Sequence, residues 1–148
     1  MTKIEKVIFT GYTHTVLNQD PKAQKGDYGV VDIKLSAVGG ESHEFIGAVT
    51  HPTAEQFFAG AWSSCYLAAL VLAASLKKVS LPSDFSVDIQ VDVGQTGPGW
   101  FLGAKFTVRI PGMAQDLAEQ LVHDAHEICP YSKAVKGNIE VAVNVVTK

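Results

Sequence analysis

Cys65 and Cys129 are the only thiols in this 148-residue chain, and they stand in unlike surroundings. Cys65 lies inside the uncharged run FFAGAWSSCYLAALVLAASL, from Phe57 to Leu76. Cys129 closes a polar, helix-like stretch and is followed at once by Pro130. A thiol within a buried helix and a second at a helix end can reduce peroxides, provided the fold brings them together. In such a pair a thiolate attacks the O–O bond, because the thiol is a poor nucleophile. The sulfenic acid that results condenses with the second thiol to a disulfide. The apolar setting of Cys65 suits an organic peroxide, with Phe57, Phe58, Trp62 and Tyr66 offering surface for an alkyl tail. Burial alone raises a thiol pKa, so a cation or hydrogen-bond donors must offset it.

Blander readings stand beside this one. Free cysteine is among the most buried residue types, so both thiols also fit as small core residues. His123, His126 and Cys129 recur at every third position and could bind zinc, although no CxxC or fourth ligand accompanies them. His14, His43 and His51 are scattered and read as solvent or loop histidines. A Cys–His pair for hydrolysis has no local signature. Glu55 stands ten residues before Cys65 on the same predicted helix. That is about 15 Å along the axis at about 1.5 Å per residue. The two share a site only through chain folding or a partner subunit.

The elements that must position these groups follow from composition and periodicity. The length fits one domain, residues 1–148, with a core that needs no disulfide. Hydrophobic residues make up 47% and charged residues 18%, which excludes a disordered chain. The net charge of −3 argues against nucleic acid as the main partner. Arg109 is the single arginine, and the lysines do not cluster. The opening MTKIEKVIFTG has polar and acidic residues where a signal peptide carries its apolar core, so a cytoplasmic location is expected. There, two cysteines are more often free or catalytic than a structural bridge. The run from Phe57 to Leu76 is long enough for a membrane span. Its serines, glycine and tryptophan, and the soluble-sheet pattern around it, favour a buried central helix and no membrane.

Alternation marks the strands. Phe85, Val87, Ile89, Val91 and Val93 alternate with Ser86, Asp88, Gln90 and Asp92, as in a sheet with one wet face. Val31, Ile33 and Leu35 form a second strand, and Ala104, Phe106, Val108 and Ile110 a third. Ile139, Val141, Val143 and Val145 form a closing one. Glu5 to Val16 is rich in β-formers. The stretch Gly94–Trp100 reads as a glycine-rich hairpin turn. The first helix starts near Thr53, a plausible N-cap with Gln56 closing a capping box, and ends near Lys77 and Lys78. The second runs from about Met113 to Cys129, with Leu117, Leu121, Val122, Ala125 and Ile128 on one face. The order β-β-α-β-β-α-β indicates an α+β fold of antiparallel sheets and hairpins. Asn18–Tyr28 and Ala37–Thr50 are the longest loops and could line a site. A helix apolar all round needs more cover than five short strands provide, so a homodimer is expected.

Five segments are similar to one family. AEQFFAGAWSSCYLAAL and HEICPYSKAVKGNIEVAVNVV, together with EKVIFTG, VVDIKLS and RIPGM, resemble the organic hydroperoxide resistance proteins of the Ohr/OsmC family. The resemblance covers nearly the whole chain. Its most specific parts are the E-Q-x-F-x-x-x-x-x-x-C spacing and the C-P-Y-S-x-A-x-x-G-N-I run. It implies a thiol peroxidase, built as an intertwined homodimer around a long central buried helix, with active sites at the subunit interface. Cys65 matches the peroxide-attacking cysteine, Cys129 the resolving cysteine, and Glu55 the glutamate that orients the site. A dithiol reductant is implied, with lipoylated proteins as donors, and no metal or organic cofactor. One departure concerns the family's arginine in the loop after the first strand, which helps hold the attacking thiolate. Here that loop, TVLNQDPKAQKGDYG, has no arginine, and Gln19 or Asp20 falls about at its position. Arg109 lies on another strand, and the family's N-P-E reads P-T-A-E. Lys22, Lys25 or His14 would have to substitute, and a lysine offers a point charge in place of a planar fork of donors.

Overall fold

A computed structural model describes residues 4–17, 29–33 and 54–148 of the chain. Eight elements follow in order: β1 (Lys6–Leu17), β2 (Gly29–Ile33), α1 (Ala54–Leu76), β3 (Ser86–Thr96), β4 (Gly99–Arg109), α2 (Gln115–Ile128), α3 (Pro130–Val135) and β5 (Glu140–Val146). The strands form one five-stranded sheet in the order β2-β1-β3-β4-β5. β1 pairs antiparallel with β2 on one side and β3 on the other, and β3 pairs antiparallel with β4. The β3–β4 turn is tighter than the glycine-rich stretch suggests. Thr96 pairs with Gly99, which leaves Gly97 and Pro98 between them. Gly97 has φ +55°, the positive value that two-residue hairpin turns favour.

The expectation of purely antiparallel sheets is corrected at one edge. β5 runs parallel to β4, with Phe106 opposite Val143 and Arg109 opposite Val146. A parallel neighbour needs a crossover of a dozen residues or more, which α2 and α3 supply. α3 itself is an addition to the sequence reading. Pro130 ends α2, as its missing N–H requires, and then opens the next helix at a position where that N–H has no partner to lose.

The helices cover one face of the sheet. Val87, Ile89 and Val91 of β3, Phe106 and Val108 of β4, and Thr13 and Thr15 of β1 are all buried there. The opposite face is less wet than alternation implies. Ser86, Asp88 and Asp92, expected in water, are each at most 6% exposed. Asp88 is enclosed because its carboxylate accepts from Arg109 on one oxygen and pairs with His14 Nδ1 on the other. Asp92 accepts from the Thr10 hydroxyl at 2.6 Å. Burial of carboxylates is sustained by such partners. Period-two alternation therefore identifies the two faces correctly and misjudges the exposure of one.

α1 carries no charge after Glu55 and is apolar on every side. By length and composition it could cross a membrane, yet 56% of its most apolar window is buried within the chain itself. It packs on β1 and β3 along one side and on α2 and α3 along another. The approach of β1 to its first turn is close. A Cβ on Gly11 would lie 2.7 Å from Glu55 and Gln56 backbone atoms, so glycine is required for contact. Thr53, the expected N-cap, lies outside the described residues, as do both long loops and Leu35.

At the other end α1 stops in a Schellman arrangement. Val79 N–H bonds Ala74 O at 2.9 Å and Lys78 N–H bonds Ser75 O at 3.0 Å. The residue in the left-handed position is Lys78, at φ +57°. Glycine is usual there because a Cβ in that region is costly. Lys78→Gly should therefore stabilise the fold by about 0.5–1 kcal/mol. A higher urea midpoint with unchanged slope is the expected result, and a lower midpoint would contradict the argument.

Candidate active site

The fold brings the two cysteines together across 64 residues of sequence. Both are free thiols, and the Cys129 S–H donates to Cys65 Sγ at 3.2 Å. Cys65 sits mid-helix on α1 and is partly exposed, whereas Cys129 is fully buried. Cys129 occupies the elbow between α2 and α3, with extended backbone angles of φ −62° and ψ 119°. Its own N–H ends α2 by bonding Ala125 O at 2.8 Å. Its carbonyl begins α3 by accepting from Lys133 N–H at 3.1 Å. The backbone of this residue is thus held on both sides, and the side chain is left to point at α1.

Burial pushes the Cys65 thiol above its ordinary pKa. The backbone N–H of Tyr131 opposes that shift by donating to the sulfur, and the contact and charge of Cys129 add to it. Desolvation is the largest of these effects, and it penalises the thiolate rather than the neutral thiol.

The aromatic residues expected to wall the site divide into two groups. Trp62 and Tyr66 are fully buried and face the sheet. Trp62 stands edge-on to Phe106 with ring centres 4.9 Å apart, and Tyr66 does the same at 5.0 Å. The Tyr66 hydroxyl donates to Val122 O at 2.7 Å, which ties α1 to α2. These two rings are core, and they offer no open surface to an alkyl chain. Their polar tips are what the interior can satisfy, which explains their place there. Phe57 is 61% exposed, and Phe58 is partly buried against Trp62 at 5.6 Å.

Glu55 lies in the first turn of α1, ten residues before the mid-helix Cys65, and is pressed against β1 at Gly11. The candidate cations are placed unequally. His14 and Arg109 are both engaged by Asp88 on the sheet face away from the helices, so neither reaches Cys65. Gln19, Asp20, Lys22 and Lys25 lie outside the described residues, as do His43 and His51. The zinc alternative does not assemble. His123 is exposed while His126 turns inward, and no group of three or more metal-ligating side chains forms among the described residues.

Ser132, to which sequence reasoning gave no role, and His126, which it weighed only as a zinc ligand, complete the surroundings of the elbow. Ser132 Oγ accepts from Trp62 Nε1 at 3.0 Å and lies 3.1 Å from His126 Nδ1. His126 also packs on the Tyr66 ring, with centres 4.6 Å apart. Ser132 is part of the C-P-Y-S run, so its position was visible in the sequence. Its partners, 70 and six residues away, were not.

Comparison with known proteins places this arrangement. A model of the family described as OsmC-like protein matches residues 47–144. The chain belongs to the OsmC-like family. An organic hydroperoxide resistance protein of Xanthomonas axonopodis pv. citri is similar to this OsmC-like chain at 32% identity, over 98% of the chain and 99% of the relative. One from Bacillus subtilis is 29% identical over 93% of the chain and 96% of its own length. The crystal structure of an organic hydroperoxide resistance protein from Elizabethkingia anophelis superposes with a TM-score of 0.62. It covers 98% of this chain and 100% of its own, at 26% identity. The resemblance read from the two cysteine motifs is therefore upheld, and with it the Ohr/OsmC fold.

In this OsmC-like chain His126 has a measurable electrostatic signature. Burial, with repulsion from His123 adding and Glu127 opposing, depresses its pKa from 6.5 to about 4. The folded state thus resists a proton that the unfolded chain accepts. Its contribution holds above the unfolded pKa and is lost as pH falls from 6.5 towards 4. The thermal midpoint should decline over that window, and His126→Gln should flatten the decline. An equally steep decline in the variant would refute the assignment.

Proposed function

We propose that this protein is a cysteine-based peroxidase that reduces organic hydroperoxides to alcohols in antioxidant defence. The single observation that carries the reading is the 3.2 Å contact between a partly exposed thiol and a fully buried one. Cys65 is the sulfur a peroxide can reach, and Cys129 is the sulfur shielded from it. The Cys65 thiolate takes the terminal oxygen of R–OOH, the O–O bond breaks, and the alkoxide leaves with a proton as R–OH. Cys129 then attacks the sulfenic acid, the S–O bond breaks, and water leaves as the disulfide forms. A dithiol, with a lipoylated protein as the physiological candidate, returns the pair to thiols by exchange. The names of the relatives from Xanthomonas and Bacillus support the substrate class. Phe57 and Phe58 remain as apolar surface for the alkyl group, and Glu55 as an orienting carboxylate. The setting is cytoplasmic, with no metal or organic cofactor. Consumption of cumene hydroperoxide with a dithiol should be rapid in wild type and near background in Cys65→Ser. Equal rates in the two proteins would overturn the peroxidase.

The elevated pKa of Cys65 favours a second reading, a redox-sensing or small-ligand-binding relative with slow turnover. It predicts near-background consumption in both proteins of the same experiment.

The reading includes a homodimer. At about 100° per residue, Phe57, Ala61, Ala68, Leu72 and Leu76 share one stripe of α1, and Cys65 falls within it between Leu72 and Leu76. Phe57, Leu72 and Leu76 are exposed large hydrophobic residues in the single chain. A second copy laid on this stripe removes it from water and encloses the peroxide-facing thiol. Sedimentation should give twice the 15.8 kDa chain mass. A monomer at micromolar concentration would contradict it.

A further inference from the structure

The thiol contact has a companion that links the same elements. Trp62 lies one helical turn before Cys65 on α1, and Ser132 lies one turn after Cys129 on α3. The hydrogen bond from Trp62 Nε1 to Ser132 Oγ, 3.0 Å long, therefore crosses between the helices beside the Cys65–Cys129 contact. His126, one turn before Cys129 on α2, holds the same hydroxyl from the third side at 3.1 Å. Ser132 is 7% exposed and Trp62 is fully buried, so water does not compete for these bonds. Ser132 Oγ accepts from the indole, which can only donate, and keeps a second lone pair and one proton with which to meet His126 Nδ1 in either neutral tautomer. His126 Nε2 is buried with no hydrogen-bond partner among the described residues.

We propose that Ser132 is a positioning residue for the resolving step, holding the α2–α3 elbow so that Cys129 faces Cys65. The proposal rests on the peroxidase reading and adds a residue to its second half-reaction. Trp62 is fully buried and Ser132 is 7% exposed, so the brace offers almost no surface to a peroxide. Attack on R–OOH needs only the exposed side of Cys65. Closure of the disulfide needs the sulfur on the elbow to meet the sulfenic acid, with S–S bond formation, S–O cleavage and loss of water. At this turn the elbow's other links to α1 among the described residues both end on Cys65 Sγ, the Cys129 S–H at 3.2 Å and the Tyr131 N–H. Losing the hydroxyl removes the one tie that does not involve the reacting sulfur and leaves Cys65 in its place on α1.

Single-turnover reaction of the fully reduced protein with cumene hydroperoxide separates the two steps. Sulfenic acid is trapped with dimedone and counted by mass, while disulfide formation is followed by loss of free thiols. In Ser132→Ala the attack should keep its wild-type rate and the disulfide should form about tenfold more slowly, the scale of one lost hydrogen bond. Dimedone adducts should rise accordingly, and Ser132→Thr, which retains the hydroxyl, should restore fast closure. Trp62→Phe, which removes the donor and keeps a ring, should slow closure as well and serves if Ser132→Ala fails to fold. Closure at the wild-type rate in both variants would overturn the proposal. So would equal slowing of attack and closure, which signals a general loss of structure. Failure of the wild type to form either sulfenic acid or disulfide would sink the peroxidase reading itself, and the positioning role with it.

Discussion

Everything in this chain follows from the need to cover α1. A helix without a polar side has no orientation that water tolerates, so each of its surfaces must find apolar neighbours. β1 and β3 take one side, and α2 with α3 takes another. The crossover that brings α2 over the helix also returns the chain to lay β5 beside β4. Covering the helix and pairing the last strand are thus one event. The elbow between α2 and α3 falls over the middle of α1 because of it, and Cys129 reaches Cys65.

The interior built around α1 contains several polar side chains whose hydrogen bonds tie its elements together. The Trp62 indole, the Tyr66 hydroxyl, the Ser132 hydroxyl and His126 fasten three helices to one another across otherwise apolar contacts. On α1's sheet side, the Thr15 hydroxyl donates to Ser63 Oγ at 2.7 Å, and Ser63 in turn donates to Gly60 O. Apolar packing has little directional preference, whereas a hydrogen bond specifies distance and angle. The helix's depth is set by burial, and its rotation and register are set by these few bonds.

Much of this was legible in the sequence, for reasons that differ by residue. Val87, Ile89 and Val91 betray their strand because burial on one face imposes a period of two. The same period says nothing about what meets the other face, which is why Asp88 looked wet. Its partners Arg109 and His14 come from two different strands. Pro130 was readable as the end of α2, but the chemistry that stops one helix equally permits the next to begin. The parallel placement of β5 is set by where a thirty-residue crossover lands, and β5 would alternate identically in either direction. Trp62 and Tyr66 were credited with surface they do not have, since residue type cannot say which side of a buried helix faces the sheet. The thiol pair itself was legible only through its flanking motifs. Spacing alone left both cysteines as plausible core residues.

The elbow also bears on how the protein's stability depends on its redox state. Cys65 and Cys129 are separated by 64 positions. Joining them would tie nearly half the chain into a loop and withdraw about 4 kcal/mol of conformational freedom from the unfolded ensemble. The native sulfurs already lie close together, so the folded state gives up little by comparison. An oxidised chain would then resist unfolding more than a reduced one. By the same cycle, folding opposes reduction of that bond, and a reductant must overcome the fold as well as the sulfur. Each passage from dithiol to disulfide would take the molecule through a more stable form and back, which couples its chemistry to its thermodynamics.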